Sequence, residues 1–143
     1  MKIVIASDHA GFKLKKILKE HFSEHEFIDV GTDSESSCDY PDYAVLAGEE
    51  VVSGEAELGI VICGTGIGIS IAANKIKGIR AALCFNEYMA DMSRRHNNAN
   101  ILALGAKVTS DDLAIKITDI WLKSKFEGER HERRVQKIAK IES

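Results

Sequence analysis

The chain is poor in the residues that stiffen or cross-link small proteins. Of its 143 residues one is proline, one is tryptophan and three are cysteine. The cysteines, Cys38, Cys63 and Cys84, are odd in number and form no Cys-x-x-Cys pair. That pattern argues against a disulfide framework and against a structural zinc site, and it suits a reducing cytoplasm. His21 and His25 straddle the end of a helical segment and read as a solvated surface pair. No apolar run approaches the roughly 20 residues that span a bilayer, and Met1 to Ala6 is too short for a signal peptide. Neither sign of charge dominates: 22 acidic residues stand against 19 lysines and arginines, a net charge of −3. Such a balance leaves no general footprint for nucleic acid or an anionic membrane. There is no internal repeat, linker or low-complexity segment. What is present is an ordinary hydrophobic content of 45%, enough for one domain with a real core.

Strand-like and helix-like segments alternate. Lys2 to Ser7 reads as a strand, and Phe12 to Phe22 carries apolar residues at close to helical spacing. Phe27 to Val30 is a second strand. Thr32 to Asp42, polar and holding Pro41, reads as a loop. Tyr43 to Val52 is a helix, Leu58 to Cys63 the third strand, Ile69 to Ile76 a helix, Arg80 to Phe85 the fourth strand and Glu87 to Arg95 a helix. Asn100 to Leu104 is the fifth strand. Ser110 caps a helix running to about Lys123, and a last amphipathic helix covers about Glu129 to Ile141. Repeated strand–helix units imply right-handed crossovers and a parallel sheet covered on both faces. The expected fold is therefore α/β: a three-layer αβα, Rossmann-like, five-stranded parallel sheet in the flavodoxin-like order 2-1-3-4-5, with a C-terminal helix. In that order a ligand crevice opens between the carboxyl ends of strands one and three. Those ends are Ser7-Asp8-His9-Ala10-Gly11 and Cys63-Gly64-Thr65.

The segment Cys63-Gly64-Thr65-Gly66-Ile67-Gly68-Ile69-Ser70 puts a thiol at a strand end, followed by three alternating glycines and a helix start. Bare backbone amides and the positive end of the helix favour negative charge beside the sulfur, and the same field favours a thiolate. The glycine spacing is not a dinucleotide fingerprint, because the third glycine comes one residue early, after the third strand rather than the first. It is not a Walker loop, and a cysteine-phosphatase loop needs an arginine where Ile69 stands. The same residues also fit a tight turn carrying an inert core cysteine, and the segment alone does not choose. Asp8 fits a helix N-cap as well as a crevice acid. His96, after Arg94-Arg95, fits a helix C-terminal group matched to the dipole. Arg130 and Arg134 share a helix face, which suits either a solvated ion-pair face with Glu127, Glu129 and Glu132 or a phosphate clamp.

Taken in order, Ser7-Asp8-His9-Ala10-Gly11, Gly31-Thr32, Asp39-Tyr40-Pro41, Cys63 through Lys75, Gly78-Ile79-Arg80-Ala81, His96-Asn97 and Gly128-x-Arg130-His131 closely resemble the B-type ribose-5-phosphate isomerase family. That family also includes galactose-6-phosphate isomerase subunits. The resemblance runs end to end and implies one sugar-phosphate isomerase domain over residues 1–143. It implies that Cys63 is the base moving a proton between C1 and C2 of the open-chain sugar. Thr65 and His96 resemble the groups that help open the furanose ring, with Asp8 shuttling protons on the sugar oxygens. Gly64, Gly66, Ile67, Gly68 and Ser70 belong to the loop that resembles the enediolate's anion hole. His9, Arg130 and Arg134 look like phosphate ligands, and Tyr40 and Asn97 like substrate contacts. In the family His96 and Asn97 reach the site from a second subunit, so a homodimer is implied, with pairing into a tetramer left open. One branch uses a glutamate at the position of Ile69, which leaves Cys63 as the loop base here. Lys107 departs from an arginine that several members carry near the phosphate. The implied reaction interconverts ribose 5-phosphate and ribulose 5-phosphate through a cis-enediol and calls for no metal or organic cofactor. A hexose 6-phosphate of allose or galactose type is the nearest alternative. A non-catalytic sugar-phosphate-binding module is the alternative of another class.

Overall fold

The computed structural model describes residues 1–142. In chain order the elements are β1 (Lys2–Ser7), α1 (Phe12–His21), β2 (Glu26–Asp29), α2 (Tyr40–Val52), β3 (Leu58–Cys63), α3 (Ile67–Ala73), β4 (Ala81–Leu83), α4 (Glu87–Arg95), β5 (Ile101–Gly105), α5 (Asp111–Lys123) and α6 (Arg130–Ile141). A single 3-10 turn, His9–Gly11, leads into α1. All five strands pair in parallel, in the order β2-β1-β3-β5-β4. None of the described helices is long and apolar enough to cross a membrane.

The αβα architecture and parallel sheet are as the alternating segments predict, but the last two strands are exchanged relative to 2-1-3-4-5. β5 lies against β3, and β4 takes the edge. The cause is visible in the residues. Ile101–Gly105 is buried at every position, whereas Ala81–Leu83 is half-buried throughout. A strand apolar on both faces belongs inside a covered sheet. The exchange has a second effect. With right-handed crossovers, stepping back from β4 to β5 carries α4 to the face that also holds α1 and α5.

The two faces differ in grain. Ile3, Ile5, Ile60, Ile62, Leu102 and Leu104 point to one side and meet Leu14 and Leu18 of α1, Ala90 of α4, and Ile117 and Trp121 of α5. Val4, Ala6, Val61, Cys63, Ile101 and Ala103 point to the other and meet Ala44 and Ala47 of α2 and Ile69 and Ala73 of α3. Small residues let α2 and α3 approach the sheet closely on the side that carries Cys63.

Two helix starts differ from expectation. α2 begins at Tyr40 with Pro41 in its first turn, where proline's missing N–H costs no hydrogen bond. α3 begins at Ile67 directly after the left-handed Gly66. Ser110 and Asn86 cap α5 and α4, accepting from Leu113 N–H at 3.2 Å and Met89 N–H at 2.8 Å.

Two polar devices tie the periphery. Lys15, 2% exposed, bonds Asp29 at 2.9 Å and the Thr32 carbonyl. Thr32 N–H in turn donates to the Ser7 carbonyl at 3.0 Å, bracing the end of β1. Burial pushes the Asp29 carboxyl up, but Lys15, Lys19 and the Gly31 N–H outweigh it and hold it below its ordinary value. At the other edge the Asn74 amide accepts from Ala81 N–H at 2.7 Å and donates to Ala81 C=O at 2.9 Å.

Candidate active site

The carboxyl ends of β1 and β3 lie side by side, and a cleft of about 540 Å³ opens over them. Asp8 lines it from β1 and Cys63 from β3, joined by Tyr40, Gly64, Thr65, Gly68 and Lys107. The sulfur's residue is only 4% exposed, yet it borders this cleft. Gly66 N–H donates to Cys63 Sγ at 3.2 Å. A thiolate accepts such a bond more strongly than a thiol does.

The glycines of the turn have separate jobs. Gly66 sits at φ +81°, and a Cβ there would lie 2.5 Å from Leu83 Cδ1 and 2.9 Å from the Leu104 carbonyl carbon. Only glycine combines that backbone with that space, and the N–H aimed at sulfur depends on it. At Gly68 a Cβ would lie 2.5 Å from Tyr40 Cζ, so the phenol ring rests on bare backbone.

Thr65 is exposed, and its Oγ1 accepts from Ile67 N–H at 3.2 Å. Asp8 is 5% exposed, and its Oδ1 accepts from Ala10 N–H at 3.0 Å and Gly11 N–H at 3.2 Å. It is therefore both the cap of the 3-10 turn and a carboxylate of the cleft. The exchanged strand order brings Lys107 here. Ala106 N–H donates to the Cys63 carbonyl and Lys107 N–H to the Gly64 carbonyl, both at 2.9 Å. Lys107 sits two residues beyond the end of β5, which would lie one strand further away in the expected order.

Other expected site residues lie outside the cleft of a single chain. His9 Nδ1 accepts from Cys38 N–H at 3.2 Å, which assigns a neutral ring's proton to Nε2. Ser70 is buried, and its hydroxyl donates to the Ile67 carbonyl at 2.9 Å, a bond internal to α3. Gly66 and Ser70 do not border the cleft, whereas Ile67 does, together with Ile71, which is 56% exposed. Cys84 is removed from the chemistry, because burial pushes its thiol up to about 11. Nothing in the chain's pattern marks Ile71 as a cleft residue.

His96 and Asn97 are at the opposite pole. α4 runs back along the sheet, so its end lies beside the amino ends of β4 and β5. There Ala99 N–H donates to the Ser93 carbonyl at 2.9 Å and Asn100 N–H to the Arg80 carbonyl at 3.0 Å. His96 stacks on His131 of α6, with ring centroids 4.1 Å apart and planes 9° apart. Arg130 and Arg134 are exposed on that helix, and no carboxylate among the described residues lies within ion-pair distance of either. Glu127 is instead held by Arg95, whose Nε donates to Oε2 at 2.7 Å. Asn97 faces a separate cavity of about 440 Å³ between α6 and the β4 edge, lined by Ile79, Ala82, Ile138 and Ile141 among others.

A sequence model described as Ribose/Galactose Isomerase matches residues 3–138. The chain belongs to the ribose/galactose isomerase family. Within that family it is similar to a protein of Bacillus subtilis named a putative sugar phosphate isomerase, at 51% identity over 99% of this chain and 97% of that one. It is 49% identical to ribose-5-phosphate isomerase B of Escherichia coli, over 99% of this chain and 96% of that one. Among solved structures, the ribose-5-phosphate isomerase B of Clostridium thermocellum superposes with a TM-score of 0.98 at 57% identity, covering 99% of this chain and 97% of that one. The Mycoplasma genitalium enzyme, solved with bound ribulose-5-phosphate, gives 0.94 at 46% identity, covering 99% and 95%.

Proposed function

We propose that this chain interconverts ribose 5-phosphate and ribulose 5-phosphate. The observation that carries the reading is a thiol bordering an open cleft, with a backbone N–H aimed at its sulfur and a carboxylate on the neighbouring strand end. Close relatives named ribose-5-phosphate isomerase B support the choice of sugar. Cys63, as thiolate, removes the proton from C2 of the open-chain aldose. The electron pair moves into a C1–C2 double bond and the carbonyl oxygen takes up negative charge. The proton returns from sulfur to C1, leaving a carbonyl at C2, while Asp8 carries protons between O1 and O2. One base serving both carbons suits general acid–base catalysis. Backbone donors of the Gly64–Ser70 turn stabilise the enediolate, each by roughly 3 kcal/mol in the barrier.

Ring opening falls to Thr65 and His96, and the phosphate to His9, Arg130 and Arg134, with Tyr40 and Asn97 contacting the sugar. His96, Asn97 and the α6 arginines lie at the far pole of their own chain, so a second copy must supply them. A homodimer with two shared sites follows from this reading, and the cytoplasm is its natural compartment. The decisive experiment assays the purified chain against ribose 5-phosphate, allose 6-phosphate and galactose 6-phosphate, with Cys63→Ala beside it. Ketose formation from the pentose, lowered at least about 10³-fold in the variant, is expected. Near-normal turnover without the thiol would overturn the mechanism. Preference for a hexose would overturn the substrate, and ligand binding without turnover would leave a binding module.

A further inference from the structure

The pole that carries His96 holds a second imidazole to which the mechanism gives no task. His131 is 5% exposed, and its Nε2 is buried without a hydrogen-bond partner. Its ring lies flat on that of His96 at 4.1 Å. Glu127 Oε1 stands 3.8 Å from His96 Nε2 and 3.7 Å from His131 Nε2, facing both and hydrogen-bonded to neither. Its other oxygen is fixed by Arg95, and Glu127 N–H donates to the Arg95 carbonyl at 3.0 Å. The turn that delivers His131 is strained. Gly128 has φ +72°, and Glu129, which is not glycine, has φ +52°. Backbone of that kind persists where its surroundings over-determine it.

The two histidines and the carboxylate do not form a cation site in this arrangement. A metal bound by two imidazoles must lie close to both ring planes, and planes 9° apart in a face-to-face stack share no such point near the two nitrogens. What the arrangement does is hold one ring. His96 follows the last turn of α4, half-exposed. A lone imidazole there would turn about two side-chain bonds. The flat contact removes one of those freedoms, and the carboxylate biases the other.

We infer that His131 is a positioning residue: together with Glu127 it fixes the orientation of the His96 imidazole so that this ring opens the sugar. The inference rests on the isomerase reading and on His96 reaching a neighbouring copy's cleft. His131 suits the task because its surroundings resist a positive charge on it. Burial, then the charges of His96, Arg130 and Arg134, pull its proton affinity down against the opposing pull of Glu127. The charged groups around the two stacked rings are Asp91 and Arg95 on α4 and Glu127 on the connector, beside His96, and Arg130 and Arg134 on α6, which act on His131.

The test separates ring opening from proton transfer at carbon. Ribulose 5-phosphate has no ring to open, because its O5 carries the phosphate. Exchange of its C1 hydrogen with deuterated solvent needs only the thiol and the anion hole. His131→Ala is expected to lower kcat/KM for ribose 5-phosphate by roughly 10- to 100-fold, the scale of a misplaced catalytic group, with the exchange rate within about twofold of wild type. His131→Phe, which keeps a flat ring, is expected to recover most of the loss. Glu127→Gln removes the negative charge facing His96 and is expected to lower kcat/KM for ribose 5-phosphate with the exchange rate unchanged. Isomerisation and exchange falling together in His131→Ala, in His131→Phe or in Glu127→Gln would make His131 a packing residue and overturn the inference. A wild-type chain that turns over no substrate overturns the isomerase reading itself, a result distinct from either variant outcome.

Discussion

The two ends of the sheet carry opposite kinds of chemistry. At the carboxyl end the functional groups are mostly backbone: glycine amides, a buried sulfur and a carboxylate held by two N–H groups. At the amino end they are long, charged or aromatic side chains: His96, His131, Arg130 and Arg134. A rigid cradle stabilises a charge that develops in one place. Long, exposed side chains suit gripping and releasing a ligand better than holding one charge in place. On the proposed reading, the difference divides the chain into two half-sites at opposite poles, each needing a second copy to complete the reaction.

The most direct way to break that contrast is to disable one end at a time. Cys63→Ala and His96→Ala should each be nearly inactive alone. Mixed in equal amounts and allowed to exchange subunits, they should recover about a quarter of wild-type activity, because half of the dimers then hold one intact shared site. No recovery under conditions where exchange is demonstrated would mean that both ends serve one copy. A smaller effect sharpens the contrast in rigidity. Gly66→Ala meets both a left-handed backbone and occupied space, and it should cost about 3 kcal/mol in chemical denaturation. Gly128→Ala, at φ +72° with nothing within 4 Å of the added carbon, should cost only about 1 kcal/mol. Equal losses would show that the cradle is no tighter than the turn before α6.

The smallest effect is in pH. The Asp29 carboxyl, held low by its lysines, contributes stability that is fully present above about pH 4 and is lost as pH falls through its lower folded value. His131 is also depressed, but a histidine titrates earlier. Below about pH 6.5 the unfolded chain binds a proton that the folded His131 resists, so stability falls from there downward. Melting temperatures across pH should show two separate declines, with Asp29→Asn removing the lower one and His131→Phe the upper. A single decline untouched by either substitution would remove the distinction.

Much of this was legible in the residues. The parallel αβα sheet follows from alternating periodicities, and the Cys63–Gly68 turn announces itself through glycine spacing that only a tight, crowded turn requires. The β4–β5 exchange was harder to read, because strand order depends on relative burial rather than on the presence of strands. Ile101–Gly105 against Ala81–Leu83 carried that signal weakly. The position of Lys107 followed from the exchange and was hidden with it. The stack of His131 on His96 joins residues 35 positions apart, and no local pattern encodes such a contact. The separation of His96 from Cys63 is a consequence of helix direction, since every helix that follows a strand returns the chain to the other end.

Asn74 has an effect that reaches beyond the single molecule. The outward-facing N–H and C=O of Ala81 are the groups on which another strand would begin to pair. One side-chain amide occupies both. A strand arriving at this border would find the first outward-facing backbone pair of β4 already taken by a side chain of its own molecule.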